Sequence, residues 1–255
     1  MLSREPARSA EGSPEHARLV RKLESIVDLD EADREALGRL PLTVRALPAD
    51  TDIVRQGDRP SQCCLLLEGL ACRYLTTEEG KRQILSFHIP GDIPDLQSLH
   101  LKEIDDNLGT LVPSRVAFIA HGALLDLFRE RPNLVGVFWR DTLITAAMFR
   151  RWILNVGRRD AYGRMAHLLC ELVTRLKSVG LADGWSIELP VTQAELGDAL
   201  GISTVHTNRS LQALRADGLV SLRGGSLTVK DWDGLVRAGE FDPTYLHLAR
   251  PLRSG

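Results

Sequence analysis

Residues 190–230 read PVTQAELGDALGISTVHTNRSLQALRADGLVSLRGGSLTVK. Thr192, followed three residues later by Glu195, is a capping box, with Val191 and Leu196 at the flanking staple positions. The helix it opens is expected to stop at Gly201, which supplies a tight turn. Ser203 then caps a second helix, in which Thr207, Leu211 and Leu214 recur at i, i+4 and i+7 as one inward stripe. Gly218 stands just past its end, and Leu219 behind it can touch Leu214, the contact that accompanies a Schellman stop. Two short runs follow, joined by Gly224-Gly225, a two-residue hairpin signal. That turn sets Leu222 opposite Leu227 and Val220 opposite Val229, with Ser221, Arg223, Ser226 and Thr228 pointing the other way. The order is helix, turn, helix, β-wing.

The outward face says what such a unit is for. Val205, Asn208, Arg209 and Gln212 lie opposite the inward stripe, with Ser203, Thr204 and His206 at the N-terminal end and Arg223 on the wing. Arg, Asn and Gln can make bidentate bonds to guanine or adenine in a major groove. The free N–H groups at the helix start can hold a phosphate. The competing reading is the ordinary solvated face of a helical hairpin. Side chains alone do not choose between them; caps, glycine turn and wing in this order point to double-stranded DNA.

At 255 residues the chain can hold two domains, each with its own core. Its net charge of −2 and pI near 6.4 argue against a promiscuous polyanion binder. From Arg158 onward 12 Lys and Arg face 11 Asp and Glu, so DNA affinity must come from a few well-placed cations. Met1–His16 is polar and charged, without the apolar core of a signal peptide. No run approaches the ~20 apolar residues of a membrane span, so a cytoplasmic location and no membrane partner are expected. Cys63, Cys64, Cys72 and Cys170 have no C-x-x-C spacing, and neighbours on a strand point to opposite faces. Buried thiols in a reducing compartment are expected, with a redox sensor as the alternative.

Taken in order, Met1 to about Glu15 is rich in Pro, Ser, Arg, Glu and Gly and reads as disordered. Leu19, Leu23, Ile26 and Val27 then recur at helical spacing, and Glu31–Arg39 suggests a second short helix. From Val44 the texture changes, with turn signals at Gly57, Gly69, Gly80 and Gly91 and the strand-like runs CLLLE, ACRYL and RQILSFHI between them. Such spacing predicts an antiparallel sandwich or roll, with a last strand at Val112–Ile119. Helix returns with Ala123–Arg129, and a long helix runs from Pro132 to Gly157. In it Val135, Trp139, Thr142, Ala146, Phe149, Ile153 and Val156 are spaced 4-3-4-3-4-3, a coiled-coil seam. Leu134, Phe138, Ile144, Met148 and Trp152 form a second stripe. One stripe can pack on the roll; the other asks for a second copy of the chain, and a core helix inside a monomer is the alternative. A further amphipathic helix, Met165–Lys177, leads through a glycine-marked loop and a Trp185–Leu189 strand into the 190–230 unit; FDPTYLHLARPL closes the chain on that unit or trails from it.

The expected fold class is α+β. A tail at 1–15 precedes a jelly-roll-like antiparallel β-roll sensor domain at 16–131, a dimerisation helix at 132–157 and a winged helix-turn-helix domain at 158–255. In this order, and in the stretches LPVTQAELGDALGISTVHTNRSLQALRADGLV, GRRDAYGRMAHLLCELVTRL, LLLEGLACRY and FHIPGD, the chain resembles the Crp–Fnr family of bacterial transcription regulators over about Leu23 to Leu248. The resemblance implies a homodimer on a near-palindromic promoter site, an effector domain that modulates DNA binding, RNA polymerase as a partner, and no enzymatic activity. Three departures stand out. The family's recognition helix begins Ser-Arg-Glu, with an Arg four residues after the Glu; here Ser203, Thr204 and Val205 stand there, with Arg209 retained, so the familiar operator cannot be carried over. Cyclic-nucleotide members have Gly-Glu and then Arg-Ser or Arg-Thr; here Gly91-Asp92 is followed by LQSLHLKEIDDNLGTLVPS, with Glu103, Asp105 and Asp106 where an arginine is wanted. Iron–sulfur members cluster cysteines near the N-terminus, and here none precedes Cys63. No iron–sulfur cluster is expected, cyclic AMP is not expected to bind, and the effector is left unnamed.

A metal- or small-molecule-binding roll of the cupin type, without DNA function, is the reading from another class. Its candidate ligands are His88, Asp92, Asp95, His100 and His121, but His88-Ile89-Pro90 has one histidine where a His-x-His pair is needed. No phosphate loop, nucleophile elbow or pair of catalytic carboxylates stands out.

Overall fold

The computed structural model describes residues 13–250, so most of the expected tail lies outside the described residues. Its last part does not trail. Helix α1 (Pro14–Glu24) starts on Pro14, where a missing N–H costs nothing, and Glu15 bonds Arg115 at 3.0 Å. Helix α2 (Glu31–Gly38) is capped by Asp30, which accepts from the Asp33 N–H.

Seven strands then build the roll: β1 (Thr43–Leu47), β2 (Asp52–Val54), β3 (Gln62–Glu68), β4 (Ala71–Thr76), β5 (Arg82–His88), β6 (Asn107–Thr110) and β7 (Ser114–Ala120). They form two sheets, ordered β1-β7-β3 and β2-β6-β4-β5, with every pairing antiparallel. Cys64, Leu66, Ala71, Leu108 and Val116 fill one core cluster of the roll. All four turn glycines adopt positive φ, and at Gly91 a Cβ would lie 2.6 Å from the Lys22 side chain. Gly91 therefore lets α1 press onto the roll. The strands absent from the sequence reading, β1, β2 and β6, have three to five residues each, too few for a period to show.

Helix α3 (His121–Glu130) returns to α4 (Pro132–Arg158), 27 residues and about 40 Å long. Its two stripes have different fates. Leu134, Phe138, Ile144, Met148 and Trp152 are buried, while along the seam Trp139 is 65 % and Ile153 70 % exposed. Two residues separate α4 from α5 (Ala161–Ser178), whose cap Asp160 accepts from the Gly163 N–H. From Met165 to Leu176 α5 is buried on every side. β8 (Ser186–Glu188), α6 (Gln193–Leu200), α7 (Thr204–Ala216), β9 (Val220–Arg223) and β10 (Ser226–Val229) follow, with sheet order β8-β10-β9.

The chain closes with α8 (Trp232–Gly239), capped by Asp231, and a 3-10 turn at Pro243–Leu246. Sequence reading left both unassigned. They pack rather than trail: Tyr245 is buried and its hydroxyl donates to the Glu171 carboxylate at 2.7 Å. One hydrophobic cluster runs through Ile84 and Phe87 of the roll, Trp152 of α4, Leu172 of α5, and Leu196, Leu214 and Leu235 of the winged part.

Candidate nucleic-acid interface

The 190–230 unit folds by its local signals. Thr192 Oγ1 accepts from the Glu195 N–H while the Glu195 carboxylate accepts from the Thr192 N–H, completing the box. Gly201 is left-handed at φ 64 and turns the chain into Ser203, which accepts from the His206 N–H. At the end of α7 the Leu219 N–H donates to Leu214 O and the Gly218 N–H to Arg215 O, the two bonds of a Schellman stop. Gly224 and Gly225 have φ 58 and 81, and the hairpin pairs Leu222 with Leu227 and Val220 with Val229. Arg215 donates to Leu222 O and so pins α7 to the wing.

Thr207, Ser210, Leu211 and Leu214 are buried, which leaves a polar face to solvent. Ser203, Thr204, Val205, His206, Asn208, Arg209 and Gln212 are all exposed on it, Val205 by 66 %, and Arg223 is exposed on the wing. Arg209 makes no ion pair among the described residues, so its guanidinium is available to a base edge. Two side chains are partly engaged. Asn208 Nδ2 donates to Gln193 Oε1 at 3.1 Å, and His206 Nδ1 lies 2.9 Å from Ser203 Oγ. Gln193, at the start of α6, is the neighbour that sequence reading missed; no local pattern links it to a residue fifteen positions away.

A cavity of about 750 Å³ lies between the roll and α4. Arg73 enters from β4 and grips Asp106 through Nε (2.7 Å) and Nη2 (2.6 Å). Across it, Lys22 meets Asp92 at 2.9 Å and Asp141 at 3.5 Å, and Arg175 of α5 meets Asp92 at 2.9 Å and Phe87 O at 2.9 Å. Burial opposes ionisation of Asp92, but Lys22 and Arg175 outweigh it and hold the carboxyl well below its ordinary range. The winged part is also fastened to the roll at β5, where Arg82 Nε donates to Asp198 at 2.8 Å and Gln83 Nε2 to Ala199 O at 3.3 Å.

Two family models match, the Crp-like helix-turn-helix domain over residues 163–238 and the cyclic nucleotide-binding domain over residues 44–131. The chain belongs to the Crp–Fnr family. It is a DNA-binding transcription regulator of the Crp–Fnr type. The anaerobic regulatory protein of Haemophilus influenzae is 22 % identical over 222 residues, 87 % of this chain and 86 % of that one. The transcriptional activator FnrL of Cereibacter sphaeroides is 24 % identical over 71 % of this chain and 73 % of its own. FixK2 from Bradyrhizobium japonicum superposes with a TM-score of 0.71 at 22 % identity, over 78 % of this chain and 98 % of that one, and shares its fold.

Within this Crp–Fnr chain, one sequence reading needs correction. An arginine does reach the cassette, Arg73 from β4, and Asp106 closes on it rather than standing free. Glu103 instead pairs with exposed Arg59 at 2.9 Å. Of the cupin-type ligands only His88 and Asp92 meet, at 3.5 Å: His88 also bonds Ser86, Asp95 accepts from the Cys64 N–H, His121 bonds Ser98, and His100 is exposed. No cluster of three metal-ligating side chains occurs among the described residues. All four thiols are buried; burial pushes Cys63 and Cys72 up to about 12 and Cys64 and Cys170 well above their ordinary value. Protonated and enclosed, they are poor redox sensors.

Proposed function

We propose that this regulator works as a homodimer on an inverted-repeat operator, with Arg209 as its leading base reader. One pairing of features carries that reading: a single chain exposes both a polar recognition face on α7 and an apolar seam along α4. Val135, Trp139, Ala146, Phe149, Ile153 and Val156 would meet their counterparts across the dimer axis. The two recognition helices would then enter successive major grooves about 34 Å apart. Asn208 and Gln212 would read further base edges and Val205 a thymine methyl, while Ser203, Thr204, His206 and Arg223 would hold the backbone. Its parts would be a sensor roll at 16–131, a spine at 132–157 and a DNA-binding domain at 158–255, with RNA polymerase as protein partner in a reducing cytoplasm.

The cavity between roll and spine is the proposed effector site, and cyclic AMP is not its ligand. A cyclic phosphate needs a free positive partner, and Asp106 already accepts from Nε and Nη2 of Arg73 while Pro94 O accepts from its Nη1. The decisive experiment selects operators from a random-sequence pool and sediments the protein alone. An inverted repeat and a dimer are expected; an asymmetric site or a micromolar monomer sinks the reading. Calorimetry with cyclic AMP should show no binding tighter than about 10 μM, roughly −7 kcal/mol.

A further inference from the structure

We propose that the cavity between the β-roll and the spine binds an uncharged, largely apolar small molecule presenting one hydrogen-bond acceptor, and rejects anions. The proposal rests on the effector role given to that cavity above and adds the chemistry of its ligand.

Its walls are largely apolar, with Ile84, Ile93, Ile144, Met148 and Trp152 among them, and its volume lies within the ~300–1,000 Å³ of small-molecule sites. Its cations are already matched from within. Arg73 is closed by Asp106, Arg175 by Asp92, and Lys22 by Asp92 and Asp141. With Asp105 also on the lining, four carboxylates stand against these three cations. Burial holds His88 below its ordinary value and so neutral near pH 7. An entering anion would meet a net negative lining, and it could win Arg73 only by leaving the buried Asp106 carboxylate unpaired.

One donor is left over. Gln97 lines the cavity, and its Nε2 is buried without a hydrogen-bond partner. Buried polar groups are almost always satisfied, so a ligand carbonyl or ether oxygen suits this position. Ala146, Phe149, Ile153 and Val156 line the same cavity, so a second copy seated on the seam would close its mouth. A ligand there would lie against the element that joins the two subunits.

Nile red, an uncharged apolar dye with a ring carbonyl, is the probe, titrated into the full-length dimer and followed by its emission. Saturable binding of one dye per protomer is expected. Thr145→Trp, which fills the cavity from α4 outside the proposed seam, should abolish binding and leave the sedimentation coefficient unchanged. Gln97→Leu should weaken it about three- to tenfold, the worth of one hydrogen bond. Neither cyclic AMP nor the anionic dye 1-anilinonaphthalene-8-sulfonate should displace Nile red at about a hundredfold excess. Displacement by either anion overturns the proposal, as does a dimer that excludes Nile red or binding indifferent to both substitutions. Should Thr145→Trp fail to fold, the Gln97→Leu shift decides. Operator affinity measured with and without bound dye separates the two claims: an unchanged affinity removes the effector role, while the displacement results still support the ligand class.

Discussion

Helices α4 and α7 each leave a face uncovered, and the two faces have opposite chemistry. On α4 it is Val135, Trp139, Leu143 and Ile153, apolar side chains between 48 and 70 % exposed. On α7 it is Thr204, His206, Asn208, Arg209 and Gln212, polar throughout apart from Val205. An apolar stripe gains by leaving water for any surface of matching shape, so it suits a second copy of itself. A polar stripe gains little from burial unless each group meets a counterpart, so it suits a partner with a fixed pattern of donors and acceptors, such as a base-pair edge. On the proposed function, one face would supply adhesion and the other discrimination.

If that division holds, substitutions on the two faces should fail differently. Phe149→Glu or Ala146→Glu would bury a carboxylate without a partner in the seam, a cost of several kcal/mol. Sedimentation should then show a monomer, and operator binding should collapse for every sequence at once. Arg209→Ala should leave the dimer intact and cost about 1–3 kcal/mol per half-site, relaxing preference at one base pair. Competition binding against single-base operator variants reads this; unchanged discrimination would mean that α7 is not the reader. Thr192→Ala removes half of the capping box at α6 and should cost about 1 kcal/mol in thermal or urea unfolding, with base preference untouched. His206→Ala should have the smallest effect, weakening all sequences alike and leaving selectivity in place; a change in preferred bases would move His206 from the backbone to the base edges.

The winged unit was legible because its decisive bonds are local. Thr192 with Glu195, Ser203 with His206 and Leu214 with Leu219 lie three to five residues apart, and side-chain type alone names the bond. The two stripes of α4 were legible for the same reason, since helical period separates them. What decides the cavity is not local. Arg73 and Asp106 are 33 residues apart and Arg175 and Asp92 are 83 apart, and nothing in either segment announces its partner. Asp106 therefore read as an acid where an arginine is wanted, when it neutralises one that arrives from β4. The terminal helix α8 did carry a signal, Asp231 before Trp232, but the mixed run after it gave no period to extend.

The cluster that joins Ile84 and Phe87 to Trp152, Leu172 and Leu214 has a thermodynamic consequence. Because the β-roll and the winged part share this interior, neither can melt without exposing the other's apolar surface. Heating should give one calorimetric transition, with calorimetric and van 't Hoff enthalpies in agreement. Operator DNA at a hundred times its dissociation constant adds about 2.7 kcal/mol to whatever unfolds with the site it binds. Here that includes the roll, so DNA should slow amide exchange in β5 even though β5 is not among the residues assigned to the DNA contact. On that prediction the molecule would melt as a single thermodynamic body, and DNA bound at one end would be felt at the other.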